Sequence, residues 1–65
     1  MKITVNGVSA EVSAMTLAEA LAELGYAEGR FATAVNEEFV PVSARGQHVL
    51  QAGDRLEIVA PRQGG

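Results

Sequence analysis

Met1, Ile3 and Val5 alternate with Lys2, Thr4 and Asn6, and Val8, Ala10 and Val12 alternate with Ser9, Glu11 and Ser13. Period two on both sides of Asn6-Gly7 predicts a hairpin over residues 1–13 with one apolar face, since Asn-Gly tolerates the positive φ angles of a type I′ turn. The period then changes. Leu17, Ala20, Leu21 and Leu24 fall at i, i+3, i+4 and i+7, which lines one side of a helix of about two and a half turns. Thr16 with Glu19 makes a capping box, Met15 and Ala20 are spaced as a hydrophobic staple, and Gly25 suits the left-handed position past the helix end. Glu19 and Glu23 are then expected to face water.

After a loop over 26–30, residues 31–35 read as extended, Asn36-Glu37-Glu38 turns the chain into Phe39-Val40, and Pro41 ends that short strand. Residues 42–50 have no clear period and predict an irregular crossing with a short helical turn, anchored by Val49 and Leu50. Gln51-Ala52-Gly53-Asp54 is a turn. A last strand over 55–60 points Leu56, Ile58 and Ala60 at the core and Arg55, Glu57 and Val59 away from it. Pro61 stops it, so residues 1–60 read as a single domain and 61–65 as a flexible tail ending in Gly-Gly. A helix crossing right-handed between two hairpins puts the first and last strands in the middle of the sheet. The predicted fold is therefore α+β, of the β-grasp (ubiquitin-like) arrangement: a mixed four- to five-stranded sheet with one helix packed on one face. A simple antiparallel meander is the alternative.

Composition narrows what such a domain can do. Sixty-five residues cannot wall off a deep cleft, so a multi-step enzyme is disfavoured, while 48% hydrophobic and 20% charged residues suit a compact fold. At about 0.05–0.15 kcal/mol per residue its stability should be roughly 3–10 kcal/mol. The absence of cysteine excludes disulfides, thiolate metal sites and a cysteine nucleophile. Net charge is −3, and the span 11–38 carries six acids against Arg30 alone, so no basic stripe exists to neutralise phosphates and nucleic acid is not an expected partner. The polar, alternating start lacks the apolar stretch of a signal peptide, and no segment has the length of a membrane span; a cytoplasmic location without membrane contact is the expectation.

Few residues are equipped for chemistry. His48 is the single histidine and has no Ser or paired carboxylate beside it in sequence, so it is read as a surface or loop-packing residue. Glu37-Glu38 reads as a solvated hairpin tip, and the scattered glycines make no phosphate loop. No catalytic or metal-binding residue is assigned. The tail stands apart, because glycine presents no side-chain bulk and takes any backbone angle a narrow partner site requires. A frayed end accounts for Gly64-Gly65 equally well when the pair is taken alone.

Taken with the rest of the chain, the tail supports a family resemblance. MKITVNG, TLAEALAELG, AVNEEFVP, LQAGDRLEIV and the terminal Gly-Gly, in this order and at this length, resemble the ThiS family, the ubiquitin-like sulfur carriers of bacterial thiamine biosynthesis. The resemblance covers the whole chain and implies the β-grasp fold as well. Two departures stand out. Glu37 occupies a position where the family commonly has glycine, so another turn type is expected in the second hairpin, and Pro61-Arg62-Gln63 is stiffer and more polar than the family's usual run before the glycines.

The resemblance implies a carrier rather than an enzyme, with no cofactor of its own. In it the carboxylate of Gly65 is adenylated by a ubiquitin-activating-type, ThiF-like enzyme that uses ATP and magnesium, and then becomes a thiocarboxylate that donates sulfur to a ThiG-like thiazole synthase. Gly64 would give the tail clearance, and Arg62 and Gln63 would contact the partner's channel. The solvent face of the sheet is the expected docking surface, through Val59 with Phe39 or Val40 beside it and with Arg55 and Glu57 setting charge. The free protein is expected to be a monomer. A sulfur carrier like the small subunit of molybdopterin synthase, a ubiquitin-like modifier joined to lysines, and a binding module with an inert tail are the alternatives.

Overall fold

The alternating segments form five strands, β1 (Lys2–Val5), β2 (Val8–Glu11), β3 (Ala32–Val35), β4 (Glu38–Val40) and β5 (Arg55–Val59), in one sheet of order β2-β1-β5-β3-β4. They come from a computed structural model of the chain that describes residues 1–26 and 29–60. β1 and β5 pair in parallel, with Thr4 opposite Arg55 and Val5 opposite Leu56, whereas β1–β2, β3–β4 and β3–β5 are antiparallel. The parallel pair rules out a meander. It places the last strand at the centre of the sheet with the first strand beside it, as the crossing helix requires. The tail, with Pro61, Arg62, Gln63, Gly64 and Gly65, lies outside the described residues.

The helix α1 (Leu17–Glu23) covers one face of the sheet. Leu17, Ala20 and Leu21 from α1, Ile3, Val35, Val40, Leu56 and Ile58 from the strands, and Val12, Ala14 and Leu50 from the connections form one buried cluster. The helix ends are closed as the sequence signals require. Thr16 Oγ1 accepts from the Glu19 N–H, and Glu19 Oε1 accepts in return from the N–H of Met15, one residue before the cap. At the other end Gly25 has φ 92°, the Tyr26 N–H donates to Leu21 O and the Gly25 N–H to Ala22 O, which is a Schellman motif.

Residues 42–50 do more than cross. After the short 3₁₀ turn Val42–Ala44, the carbonyl of Arg45 accepts from the Ala18 N–H and that of His48 from the Leu17 N–H. With Thr16, these carbonyls satisfy three first-turn amides that a helix leaves without intrahelical partners. A bridge between Thr16 and Val49, and a bond from the Leu50 N–H to Met15 O, complete the contact. His48 thus serves through its backbone.

Several apolar positions differ from the sequence reading. Val49 is 61% exposed because the short pairing with Thr16 turns it outward and its neighbour Leu50 inward, so Leu50 alone is the anchor. Met15 is also largely exposed, so the staple with Ala20 is not formed as a buried contact, and Met15 acts through its backbone. Val8 opens the edge strand next to the turn and is exposed; Ala60 lies past the last paired residue of β5 and is exposed too. The second turn is not of another type: Asn36 and Glu37 have φ 52° and 72°, positive at both central positions like Asn6 and Gly7 at 50° and 85°. Among the described residues no helix is long and apolar enough to cross a membrane.

Candidate functional site

The face of the sheet away from α1 is built by the outward residues of each strand. On β5 these are Arg55, Glu57 and Val59, alternating with buried Leu56 and Ile58. Antiparallel register sets Ala32 of β3 opposite Val59 and Ala34 opposite Glu57, and sets Phe39 of β4 opposite Ala34. Two alanines therefore lie between larger groups, and a methyl group cannot fill the space beside a phenyl ring. The result is an open groove of about 400 Å³ lined by Phe31, Ala32, Phe39, Val42, Arg45 and Val59.

The groove is apolar at its floor and carries a cation at its rim. Phe39, Val42 and Val59 are 69%, 71% and 64% exposed, and gathered in one place they form a contiguous apolar patch rather than isolated exposed residues. Arg45 is half-buried: its Nη2 donates to Phe31 O at 2.7 Å, its Nε to Thr33 Oγ1 at 3.2 Å, and its guanidinium lies 4.6 Å from the centroid of the Phe31 ring. Thr33, itself buried, passes the connection on by donating to Val40 O at 2.9 Å. Tyr26 packs edge-on against Phe31 with centroids 5.6 Å apart. One arginine thus ties the 3₁₀ segment to β3, which positions Val42 and Phe31 at the groove.

Of the residues singled out from sequence, Val59, Phe39, Arg55 and Glu57 share this face. Val40 does not. It pairs with Thr33, and the alternation of β4 then turns it to the helix side, where it is 4% exposed and part of the core. Arg55 Nη1 lies 3.5 Å from Glu37 Oε2, an exposed pair of small energetic weight, at the end of β5 away from Val59. Phe31, Ala32, Val42 and Arg45 were not visible as site residues. Alternation alone signals Ala32, but Val42 and Arg45 sit in the stretch without a period and reach the groove only through the Arg45 bonds. Among the described residues no group of three or more His, Cys, Asp or Glu is placed to hold a metal ion.

Side-chain bonds hold both ends of β5. Asn6 Oδ1 accepts from the Ile58 N–H at 2.8 Å and its Nδ2 donates to Ile58 O at 3.2 Å. At the opposite end of β5, Asn36 Oδ1 accepts from the Arg55 N–H at 3.0 Å while its Nδ2 donates to Asp54 Oδ1 at 3.0 Å. Elsewhere, Glu23 accepts from the Ser13 hydroxyl at 2.7 Å and from the Ser13 N–H at 3.0 Å, and these bonds hold its carboxyl below the usual glutamate range.

The sheet order, with one α-helix among the described residues packed on one face, is that of a ubiquitin-like domain of the β-grasp class. A family model described as ThiS family matches residues 3–65, and the chain belongs to that family. Its structure is similar to the crystal structure of a thiamine biosynthesis protein, ThiS, from Geobacter metallireducens, with a TM-score of 0.84 and 26% sequence identity over the whole of both chains. Its sequence is 42% identical over 66 residues to part of a thiazole synthase of Paramagnetospirillum magneticum. That match takes in all of this chain and only 20% of the relative's length.

Proposed function

We propose that this chain is a sulfur carrier for the thiazole-forming step of thiamine biosynthesis. The reading is carried by membership of the ThiS family combined with 42% identity, along the full chain, to part of a protein named thiazole synthase. The second of these favours thiamine over molybdopterin as the pathway.

The working group in this reading is the carboxylate of Gly65. A carboxylate resists attack because its charge is delocalised and oxide is a poor leaving group. Attack of its oxygen on ATP, in a ThiF-like adenylating enzyme that also holds the magnesium, releases pyrophosphate and leaves an acyl-adenylate. A sulfur nucleophile then adds at the acyl carbon and AMP departs with the bonding pair, leaving a thiocarboxylate whose sulfur passes to a ThiG-like thiazole synthase. Gly64 keeps the approach free of side-chain bulk, and Arg62 and Gln63 line the path.

The chain's own part is to dock and to deliver. The groove of Phe39, Val42 and Val59 is the docking surface, with Arg45, Arg55 and Glu57 supplying charge around it. Incubation with the adenylating enzyme, ATP, magnesium and a sulfur donor should raise the intact mass by the difference between sulfur and oxygen, and fragmentation should place the change at Gly65. A variant extended by one residue after Gly65 should stay unmodified. Conversion of that extended variant would show that the carboxylate of Gly65 is not the acceptor.

A further inference from the structure

We propose that Asn6 is a positioning residue that fixes where the chain leaves the sheet and so aims the residues that follow Ala60; as a statement about delivery, this rests on the carrier reading above.

The need for such a residue follows from strand geometry. Along a strand the backbone N–H and C=O of successive residues point to alternate flanks. On β5 the Arg55 N–H is met by the Asn36 side chain while its carbonyl accepts from the Asn36 backbone N–H at 2.8 Å, whereas both the N–H and the carbonyl of Ile58 are met by the side chain of Asn6. β1 runs parallel to β5 but ends at Val5, opposite Leu56, and then turns back at Asn6-Gly7. The Asn6 N–H still reaches Leu56 O at 2.9 Å, but beyond it the backbone of Ile58 has lost its strand neighbour on that flank. The Asn6 carboxamide takes the neighbour's place, accepting from the N–H and donating to the C=O of one residue, as a paired strand would. On the other flank the ladder to β3 ends one residue later, with Ala32 opposite Val59. The last described attachments on the two flanks therefore fall at Ile58 and Val59.

A reacting carboxylate some residues further on gains from a fixed departure point, because misplacement of a reacting group by about 1 Å can cost on the order of a hundredfold in rate. Asn36 supplies the internal control. It opens the other turn with nearly the same φ, bonds the other end of β5, and lies far along the strand from Val59.

The test uses Asn6→Gly and Asn36→Gly, since glycine keeps the positive φ and removes only the side-chain bonds. In the full-length protein, ¹⁵N order parameters at Val59 and Ala60 should fall in Asn6→Gly and remain as in the wild type in Asn36→Gly. With the adenylating enzyme, ATP and a sulfur donor, Asn6→Gly should lower kcat about tenfold at unchanged KM, because the docking groove is intact, and Asn36→Gly should change neither. Asn6→Asp, which keeps the acceptor and loses the donor, should fall between Asn6→Gly and the wild type. Unchanged order at Val59 and Ala60 in Asn6→Gly would overturn the inference whatever the partner. Equal loss of rate in both glycine variants would overturn it too, since that pattern reports general loosening of β5. Failure of the wild type itself to gain sulfur would count against the carrier reading and against aimed delivery, leaving the order parameters to decide the local clamp.

Discussion

The hairpin β1–β2 and the hairpin β3–β4 flank the central strand β5 with the same local device and very different outer surfaces. Each turn opens on an asparagine, Asn6 at φ 50° and Asn36 at 52°, and each asparagine side chain bonds the β5 backbone. Away from the helix, however, the first hairpin shows Lys2, Thr4, Ser9 and Glu11, whereas the second shows Ala32, Ala34 and Phe39. Both hairpins meet the same demand on the inner face, where Ile3 and Val12 on one side and Val35 and Val40 on the other enclose a shared core. What differs is the demand on the outer face. Packing explains the inner residues of both hairpins but not the exposed Phe39, Val42 and Val59 gathered beside Ala32 on the outer face of the second, which the proposed docking role accounts for.

The two hairpins have Leu56 in common, since it is opposite Val5 on one flank and Val35 on the other and is fully buried. Leu56→Ala should break the comparison altogether, costing about 2–5 kcal/mol and bringing both hairpins down together. Urea unfolding followed at amides in β2 and β4 would show a single, lowered midpoint; separate midpoints would mean that the hairpins are independent. The outer faces should respond unequally. Phe39→Ser should weaken binding to the adenylating enzyme by about 2 kcal/mol, read by titration calorimetry, and should leave folding stability within about 0.5 kcal/mol. Thr4→Ser, on the polar half, should leave both measurements unchanged.

The turns differ at their second residue, and two substitutions sharpen that difference. Gly7→Ala places a Cβ at φ 85° and should cost about 1–2 kcal/mol. Glu37→Gly relieves a side chain at φ 72° and should raise stability by about 0.5 kcal/mol, the gain being reduced by loss of the exposed pair with Arg55. Chemical denaturation of both variants checks the opposite signs. The smallest effect concerns the link between β2 and the helix. The carboxyl of Glu23 is held below its ordinary range by Ser13, so its folded pKa lies below its unfolded one. The stability it contributes is present above the unfolded value and is lost as pH falls through the folded value. The difference in stability between wild type and Glu23→Gln should therefore be seen at neutral pH and vanish below the usual glutamate range.

Much of this was legible in the chain because it is local. The turn at Asn6-Gly7, the Thr16–Glu19 cap and the Gly25 ending each depend on residues within a few positions of one another, and each formed where the pattern placed it. The structure departs from the local pattern where a residue's environment comes from elsewhere in the chain. The run Phe39-Val40 before Pro41 is too short to show a period, so the pattern leaves the side of Val40 open, and the register opposite Thr33 decides it. Val49 and Met15 looked like core residues and are exposed, because their backbones, not their side chains, join the helix start to the 42–50 crossing. Arg45 carried no signal, since the groups it bonds, Phe31 O and Thr33 Oγ1, lie more than ten positions away.

The residues by themselves determined the strands, the helix with its caps, the mixed sheet with its last strand inside, and the likeness to the ThiS family, because periodicity, turn preference and capping act over one turn of chain and the order of elements limits their topology. Only the tertiary structure decided the registers, and through them the rest. They set Ala32 and Ala34 between Phe39 and β5, turned Val40 inward, brought Val42 and Arg45 to the groove, and laid the Asn6 side chain along the backbone of Ile58. These are contacts between residues far apart in sequence, set by how side chains fill a common core and how each buried backbone group finds a partner, and no local pattern contains that information.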